Sequence, residues 1–164
     1  MSLPAPQLSL KGRALRLLSG REYSRLELER KLAGHEKEPG QLARVLDELE
    51  LRDFINEQRV VDSVVHRRAG RLGAMRIRQE LQAKGLDSAR VKEAVARLKP
   101  SELDRAREVW RKKFDALPVD AAERGKQARF LAARGFDGEV IGRVLSGARE
   151  AQWRGLVDPR SRPG

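Results

Sequence analysis

The chain contains no cysteine. Disulfides, thiolate chemistry and Cys-based zinc sites are therefore excluded, and a reducing compartment is the expected setting. Aromatic residues make up only 4% of the sequence. A core so short of aromatics must be built from Leu, Val, Ile and Ala, which suits helix-on-helix packing better than a β-sandwich. Long apolar runs are missing too: no stretch approaches the roughly 20 residues that a membrane-spanning helix needs. Met1–Leu10, with Pro4 and Pro6, lacks the basic start and apolar run of a signal peptide. A soluble, cytoplasmic protein is expected.

Catalytic constellations are also absent. His35 and His66 are far apart in sequence, and neither has a metal-ligand partner at i+4. Gly125-Lys126 lacks the upstream glycine and the following Ser or Thr of a phosphate-binding loop. Asp47, Glu48, Glu50 and Asp53 cluster locally, but beside Arg44 and Arg52 they read as solvated ion pairs rather than metal ligands. These absences lead to an expectation of a non-enzymatic protein with no cofactor and no metal.

Charge is what the sequence has in abundance. Charged residues make up 36% of the chain, with a formal net charge of +11. Such an excess bears on partners rather than fold, and favours a polyanion such as nucleic acid or an acidic protein surface.

Almost every segment between turn signals has helical period, and none alternates. Leu10, Ala14, Leu17 and Leu18 share one face of a first helix ended by Ser19-Gly20. Ser24 with Glu27 forms a capping box for a second helix carrying Leu28 and Leu32, which Gly34 closes. Leu42, Val45, Leu46 and Leu49 make a third stripe. The pattern restarts at Asn56, with Val60, Val61, Val64 and Val65 buried. Ile77 and Leu81 follow on a helix ended by Gly85, and Asp87 caps the next, with Val91, Ala94, Val95 and Leu98. Leu103, Ala106, Trp110, Phe114 and Leu117 then run at near-heptad spacing. Their spacing makes Trp110 and Phe114 core residues rather than base-stacking platforms. Ala128, Leu131 and Ala132 lead to Gly135, and Asp137 opens a last helix with Val140, Ile141, Val144 and Leu145.

Shifting the chain by 50 residues lays the last third on the middle. Leu81 meets Leu131, Gly85 meets Gly135, Asp87 meets Asp137, Val91 meets Ile141, and Val95 meets Leu145. The first third fits more loosely, with a middle loop about three residues longer. The expected architecture is all-α: an elongated, curved array of three tandem three-helix repeats at 10–54, 55–99 and 100–147. Flexible ends at 1–9 and 148–164 flank it. Modules of this size are small for independent stability, so neighbours are expected to share cores.

The basic residues concentrate in the last two modules. The middle one carries Arg67, Arg68, Arg71, Arg76, Arg78 and Lys84; the last includes Arg111, Lys112, Arg129 and Arg134. Arginine suits bidentate pairing with phosphate or carboxylate. Any single arginine is adequately explained as a solvated helix face, but the cluster from Arg67 to Arg78 spans a glycine-flanked turn with only Glu80 nearby to neutralise it. Trp153, in the tail, is a possible interaction handle.

The run Ala14-Leu15-Arg16-Leu17-Leu18-Ser19-Gly20-Arg21-Glu22-Tyr23-Ser24, followed by Leu28 and Lys31-Leu32, resembles the opening of the RecX family. The middle run of Gly73, Arg76-Ile77, Glu80-Leu81 and Lys84-Gly85-Leu86 is similar to that family's second module. Ala128–Phe136 resembles its last repeat. The resemblance implies a bacterial regulator that binds the RecA recombinase filament and inhibits its recombinase and ATPase activities, lying in the filament groove with basic residues toward RecA and DNA. Single- and double-stranded DNA, bound without sequence preference, are implied partners, with the protein acting as a monomer. Val60-Val61 and Ala74 depart from the family's Phe-Ala and Pro at those places, changes that keep core and helix-start character. Two rivals carry different expectations: a helix-turn-helix-like DNA-binding protein independent of RecA, and a passive helical adaptor indifferent to DNA.

Overall fold

The computed structural model describes residues 1–147, and over these the chain is entirely helical. α1 (Leu10–Gly20), α2 (Arg25–Leu32) and α3 (Gln41–Leu51) form the first module, with a 3-10 turn at Ala33–His35. α4 (Glu57–Arg68), α5 (Ala74–Ala83) and α6 (Ser88–Leu98) form the second. α7 (Glu102–Arg111), α8 (Ala121–Ala133) and α9 (Gly138–Ser146) form the third.

Short polar side chains start these helices by satisfying backbone N–H groups that have no intrahelical acceptor. Ser24 Oγ accepts from Glu27 N at 3.2 Å while the Glu27 carboxylate accepts from Ser24 N at 2.8 Å, the reciprocal box read from the sequence. Asn56, Asp87 and Asp137 accept from the N–H groups three residues on, at 3.0, 3.2 and 2.9 Å. Removing one such cap exposes an orphan donor and costs about 1 kcal/mol. Asp137→Ala is therefore expected to lower the urea-unfolding free energy by about that amount, with helix content almost unchanged.

Compactness divides the chain into two units, residues 1–64 with 80–91, and residues 65–79 with 92–147 of the described chain. Helices α4, α5 and α6 each contribute to both. The first unit's core gathers Leu10, Ala14, Tyr23, Leu28, Leu32, Leu42, Leu46, Leu49 and Ile55. The second unit's gathers Leu103, Ala106, Val109, Trp110, Leu131, Phe136, Ile141, Val144 and Leu145. Trp110 is a core residue, as its spacing implies. It is 5% exposed, and its indole N–H donates to the buried Gln127 Oε1 at 2.8 Å.

One expectation needs correcting. The stripe through Phe114 and Leu117 does not continue the helix, because α7 ends at Arg111 and the chain turns at Lys112 and Lys113. Both residues still pack on the core from this non-helical stretch, Phe114 edge-on to Phe130 at 5.2 Å. Spacing reported burial correctly there, but not backbone conformation. Val65 and Val95, expected in the core, are only half-buried.

The 50-residue repeat extends to the way helices meet. Gly85 (φ +69°) presses its Cα against the Leu26 side chain in the first unit, and Gly135 (φ +90°) does the same against Arg76 in the second. Both pairs are related by the same shift. Each glycine ends a helix in the left-handed region that L side chains avoid, and a Cβ would collide with the facing helix start.

Candidate functional site

Residues 65–79 hold five arginines and no acid. Arg67 and Arg68 lie in the last turn of α4, where cations complement the helix dipole. Arg76 lies in the first turn of α5, where the dipole disfavours positive charge, and Arg78 lies just beyond it. Arg67, Arg71, Arg76 and Arg78 are exposed, and Arg68 is half-buried nearer the core edge. Arg67 and Arg68 each also interact within the protein.

The turn that carries this cluster is held by backbone and by a buried ion pair. Gly73 N donates to Arg134 O at 2.7 Å, and Met75 N donates to Gly135 O at 3.1 Å. Ala74 N donates to Glu102 Oε1 at 2.9 Å. The N–H groups of Gly73, Ala74 and Met75 at the entry to α5 are thus occupied by the protein. A Cβ on Gly73 would overlap the Gly135 carbonyl, which explains why no larger residue fits.

Glu102 is 5% exposed, and its second oxygen pairs with Arg105. Arg105 in turn donates from Nη1 to both Ala69 O and Leu72 O at 2.8 Å, and from Nε to Ser101 Oγ at 3.0 Å. One carboxylate and one guanidinium therefore satisfy the carbonyls leaving α4 and the N–H entering α5. Arg105 reads in the sequence as one more surface charge; in the structure it is a strut. Glu102 attracted no notice in the sequence. The only signal was an acid three residues before a basic residue, beside Leu103.

The remaining basic residues fall into distinct environments. Arg134 lays its guanidinium over the Phe130 ring at 3.7 Å, and its carbonyl holds Gly73, so it joins Arg76 at the junction. Arg111 pairs with Glu108 at 3.0 Å while exposed. Lys112 and Arg129 are exposed. Lys84 differs from all of these. It belongs to the first unit, is 13% exposed, and donates to Glu27 Oε1 at 2.7 Å. Glu27, for its part, pairs with Lys84 and Arg21.

Glu27 also makes stability depend on acidity. Burial alone would push its carboxyl up, but hydrogen bonds from Lys84, the Ser24 N–H and Arg21 outweigh burial and hold it down at about 2, against 4.5 ordinarily. The unfolded chain therefore takes up this proton first. The contribution is complete above about pH 4.5 and is lost as pH falls toward 2, amounting to about 2–3 kcal/mol. Wild type is expected to lose more stability than Glu27→Gln over that window, as read from urea midpoints against pH.

The acids at 47–53 behave as ion-pair partners. Asp47 and Glu50 meet Arg25 at 2.6 and 3.3 Å, Glu48 meets Lys11 at 2.7 Å, and Asp53 meets Arg59 at 2.8 Å. Arg44, the neighbour suggested by sequence, is replaced by cations from α1, α2 and α4. No cluster among the described residues is arranged to hold a metal ion, and no described helix is long and apolar enough to cross a membrane. Trp153 lies outside the described residues.

Comparison with known proteins bears on all three modules. Models of the first, second and third three-helix domains of RecX match residues 11–49, 56–95 and 101–145. The regulatory protein RecX of Leptothrix cholodnii is 52% identical over 145 residues, covering 88% of this chain and 92% of that protein. That of Ralstonia nicotianae is 47% identical over 148 residues, covering 90% and 93%. Among solved structures, the crystal structure of RecX from Lactobacillus salivarius superposes with a TM-score of 0.70 at 19% identity, covering 86% of this chain and 95% of that one. A crystal structure of regulatory protein RecX gives 0.72 at 20% identity, covering 84% and 71%. At that identity the structural likeness speaks to the fold.

Proposed function

The chain belongs to the RecX family of regulatory proteins, and from that premise we propose that it binds the RecA nucleoprotein filament and inhibits its recombinase and ATPase activities, so modulating recombination and DNA repair. The single observation that carries this reading is the acid-free run of five arginines at residues 65–79, displayed on a turn fixed by backbone hydrogen bonds. Arg76 stands against the dipole of α5, and an anionic partner relieves that repulsion. Planar guanidinium forks suit phosphates of the bound strand and carboxylates of the protein alike.

The charge is concentrated accordingly. The first unit holds thirteen Lys and Arg against thirteen acids, while the described part of the second holds eighteen against nine. Occupying the filament and spanning neighbouring subunits blocks growth, ATP turnover or strand exchange with no bond made or broken by this chain. Association through phosphates weakens steeply with salt, because displaced counterions must rebind.

RecA-dependent ATP hydrolysis on single-stranded DNA is the test. Inhibition is expected to rise with protein concentration and to weaken as salt is raised. Absence of inhibition at saturating protein at low salt would overturn the reading. A defined footprint on duplex DNA without RecA would transfer it to an independent DNA-binding role. The helices that would have to read bases offer little for that. In α6, Arg90 is held by Gln58 at 2.8 Å and Glu57 at 3.4 Å, and α9 carries only Arg143.

A further inference from the structure

Four basic side chains outside the arginine cluster converge on a hollow in the first unit. A cavity of about 500 Å³ lies between α1, α2 and the Ala33–His35 turn, with Arg13, Arg16, Leu17, Tyr23, Lys31 and His35 among its lining residues. Arg13 and Arg16 are one helical turn apart on α1, Lys31 comes from the last turn of α2, and His35 ends the 3-10 turn. No acidic residue lines it.

This arrangement is unlike the rest of the unit, where acids outnumber Lys and Arg. There, Lys11, Arg25, Arg59 and Lys84 are each matched to a carboxylate within 3.0 Å. Arg13, Arg16 and His35 have no side-chain hydrogen bond or ion pair among the described residues, and Lys31 only faces the Tyr23 ring, at 6.0 Å. The unit holds thirteen acids, yet none pairs with Arg13, Arg16 or Lys31. Gathering like charges around one concavity is repulsive, and an anion bound inside relieves it.

The chemistry of that anion follows from the number of donors and the floor. A carboxylate brings a single charge, which one arginine fork already matches. A phosphate monoester brings up to two charges and three acceptor oxygens, enough for Arg13, Arg16 and Lys31 together. The cavity volume is that of a small-ligand site. Leu17 and Tyr23 make part of the wall apolar; Tyr23 is 7% exposed and Arg21 covers one face of its ring at 3.6 Å, so a flat group can meet only the rim of the ring that borders the cavity. We propose that this cavity binds a nucleotide, its phosphate among Arg13, Arg16 and Lys31 and its base against Leu17 and the edge of Tyr23. A free mononucleotide and one nucleotide of a single strand share this chemistry.

Tyr23 is the only tyrosine of the chain, so NMR ring signals from protein labelled at tyrosine report on this cavity alone. Titration with AMP, and separately with a short 5′-phosphorylated oligothymidylate, is expected to shift them saturably, while adenosine leaves them in place. An AMP response alone supports a free nucleotide as ligand; an oligonucleotide that saturates at lower concentration supports a strand. R16A/K31A should raise the half-saturating concentration at least ten-fold. R67A/R71A/R76A/R78A should not change it, so this site and the filament surface fail or stand separately. No shift with either phosphate, a shift by adenosine equal to that by AMP, or unchanged titration in R16A/K31A overturns the proposal. So does a glutamate-rich peptide that saturates below both nucleotides. The adenosine comparison needs no variant, and so holds even where R16A/K31A does not fold.

Discussion

Glu102→Ala is expected to destabilise the protein by about 3–5 kcal/mol, because it strands the Arg105 guanidinium, whose side chain is 14% exposed, without its counter-charge. It also removes the acceptor of Ala74 N and so uncaps α5. A loss of that size is a large part of the about 5–15 kcal/mol that holds an ordinary domain together, and should lower the melting temperature by roughly 10 °C. Thermal unfolding followed by circular dichroism measures it. Glu102→Gln keeps an oxygen for Ala74 N and should cost less. A double change to Glu102→Leu and Arg105→Met should not restore stability, although apolar replacement of buried ion pairs often does. Here the guanidinium also serves Ala69 O and Leu72 O, and those carbonyls would lose their donor. Wild-type melting of Glu102→Ala would show that the backbone bonds at Gly73 and Met75 hold the junction unaided.

Changing Arg67, Arg71, Arg76 and Arg78 together to Ala should act in the opposite sense, on binding and hardly on folding. All four are exposed, and exposed changes of this kind usually move stability by about 0.5 kcal/mol or less each. If each cation meets a phosphate, the slope of log affinity against log salt should fall by up to about 2.8 units on single-stranded DNA. About ten-fold more protein should then be needed for half-inhibition of RecA-dependent ATP hydrolysis at moderate salt, on the order of 1.4 kcal/mol of binding. The measurement is an inhibition titration at several salt concentrations, with the melting curve as a control. Undiminished inhibition by the quadruple variant would clear the cluster of a role and leave Arg111, Lys112, Arg129 and Arg134 to be tested.

These two variants separate what the arginines do from what positions them. Glu102→Ala leaves every exposed arginine of the cluster in place but loosens the turn between α4 and α5. Filament inhibition should weaken in step with the melting temperature, whereas the quadruple variant loses inhibition at constant melting temperature.

Much of this architecture is legible in the amino-acid order because it rests on local rules. A Ser, Asn or Asp just before an apolar helical stripe can cap the helix with its own side chain, and Ser24, Asn56, Asp87 and Asp137 all do so. Apolar residues at helical spacing select one buried face, and Leu28, Leu46, Ile77, Leu81 and Leu131 are almost wholly buried. The 50-residue shift is likewise local, one module at a time.

The order of residues by itself determined an all-helical chain of three capped modules, their core faces, and an acid-free arginine run at 65–79. Only the tertiary structure decided which charges meet across long stretches of chain. Lys84 finds Glu27 across 57 positions, Arg105 finds two carbonyls 33 and 36 positions away, and Arg13, Arg16, Lys31 and His35 are left without an acid around one cavity. Helical caps and faces follow from neighbours within one turn, but a long charged side chain pairs with whatever the packing of other helices brings within about 3 Å. For partners more than one helical turn apart that distance is set by the fold as a whole, whereas pairs such as Glu108 with Arg111 follow from local spacing.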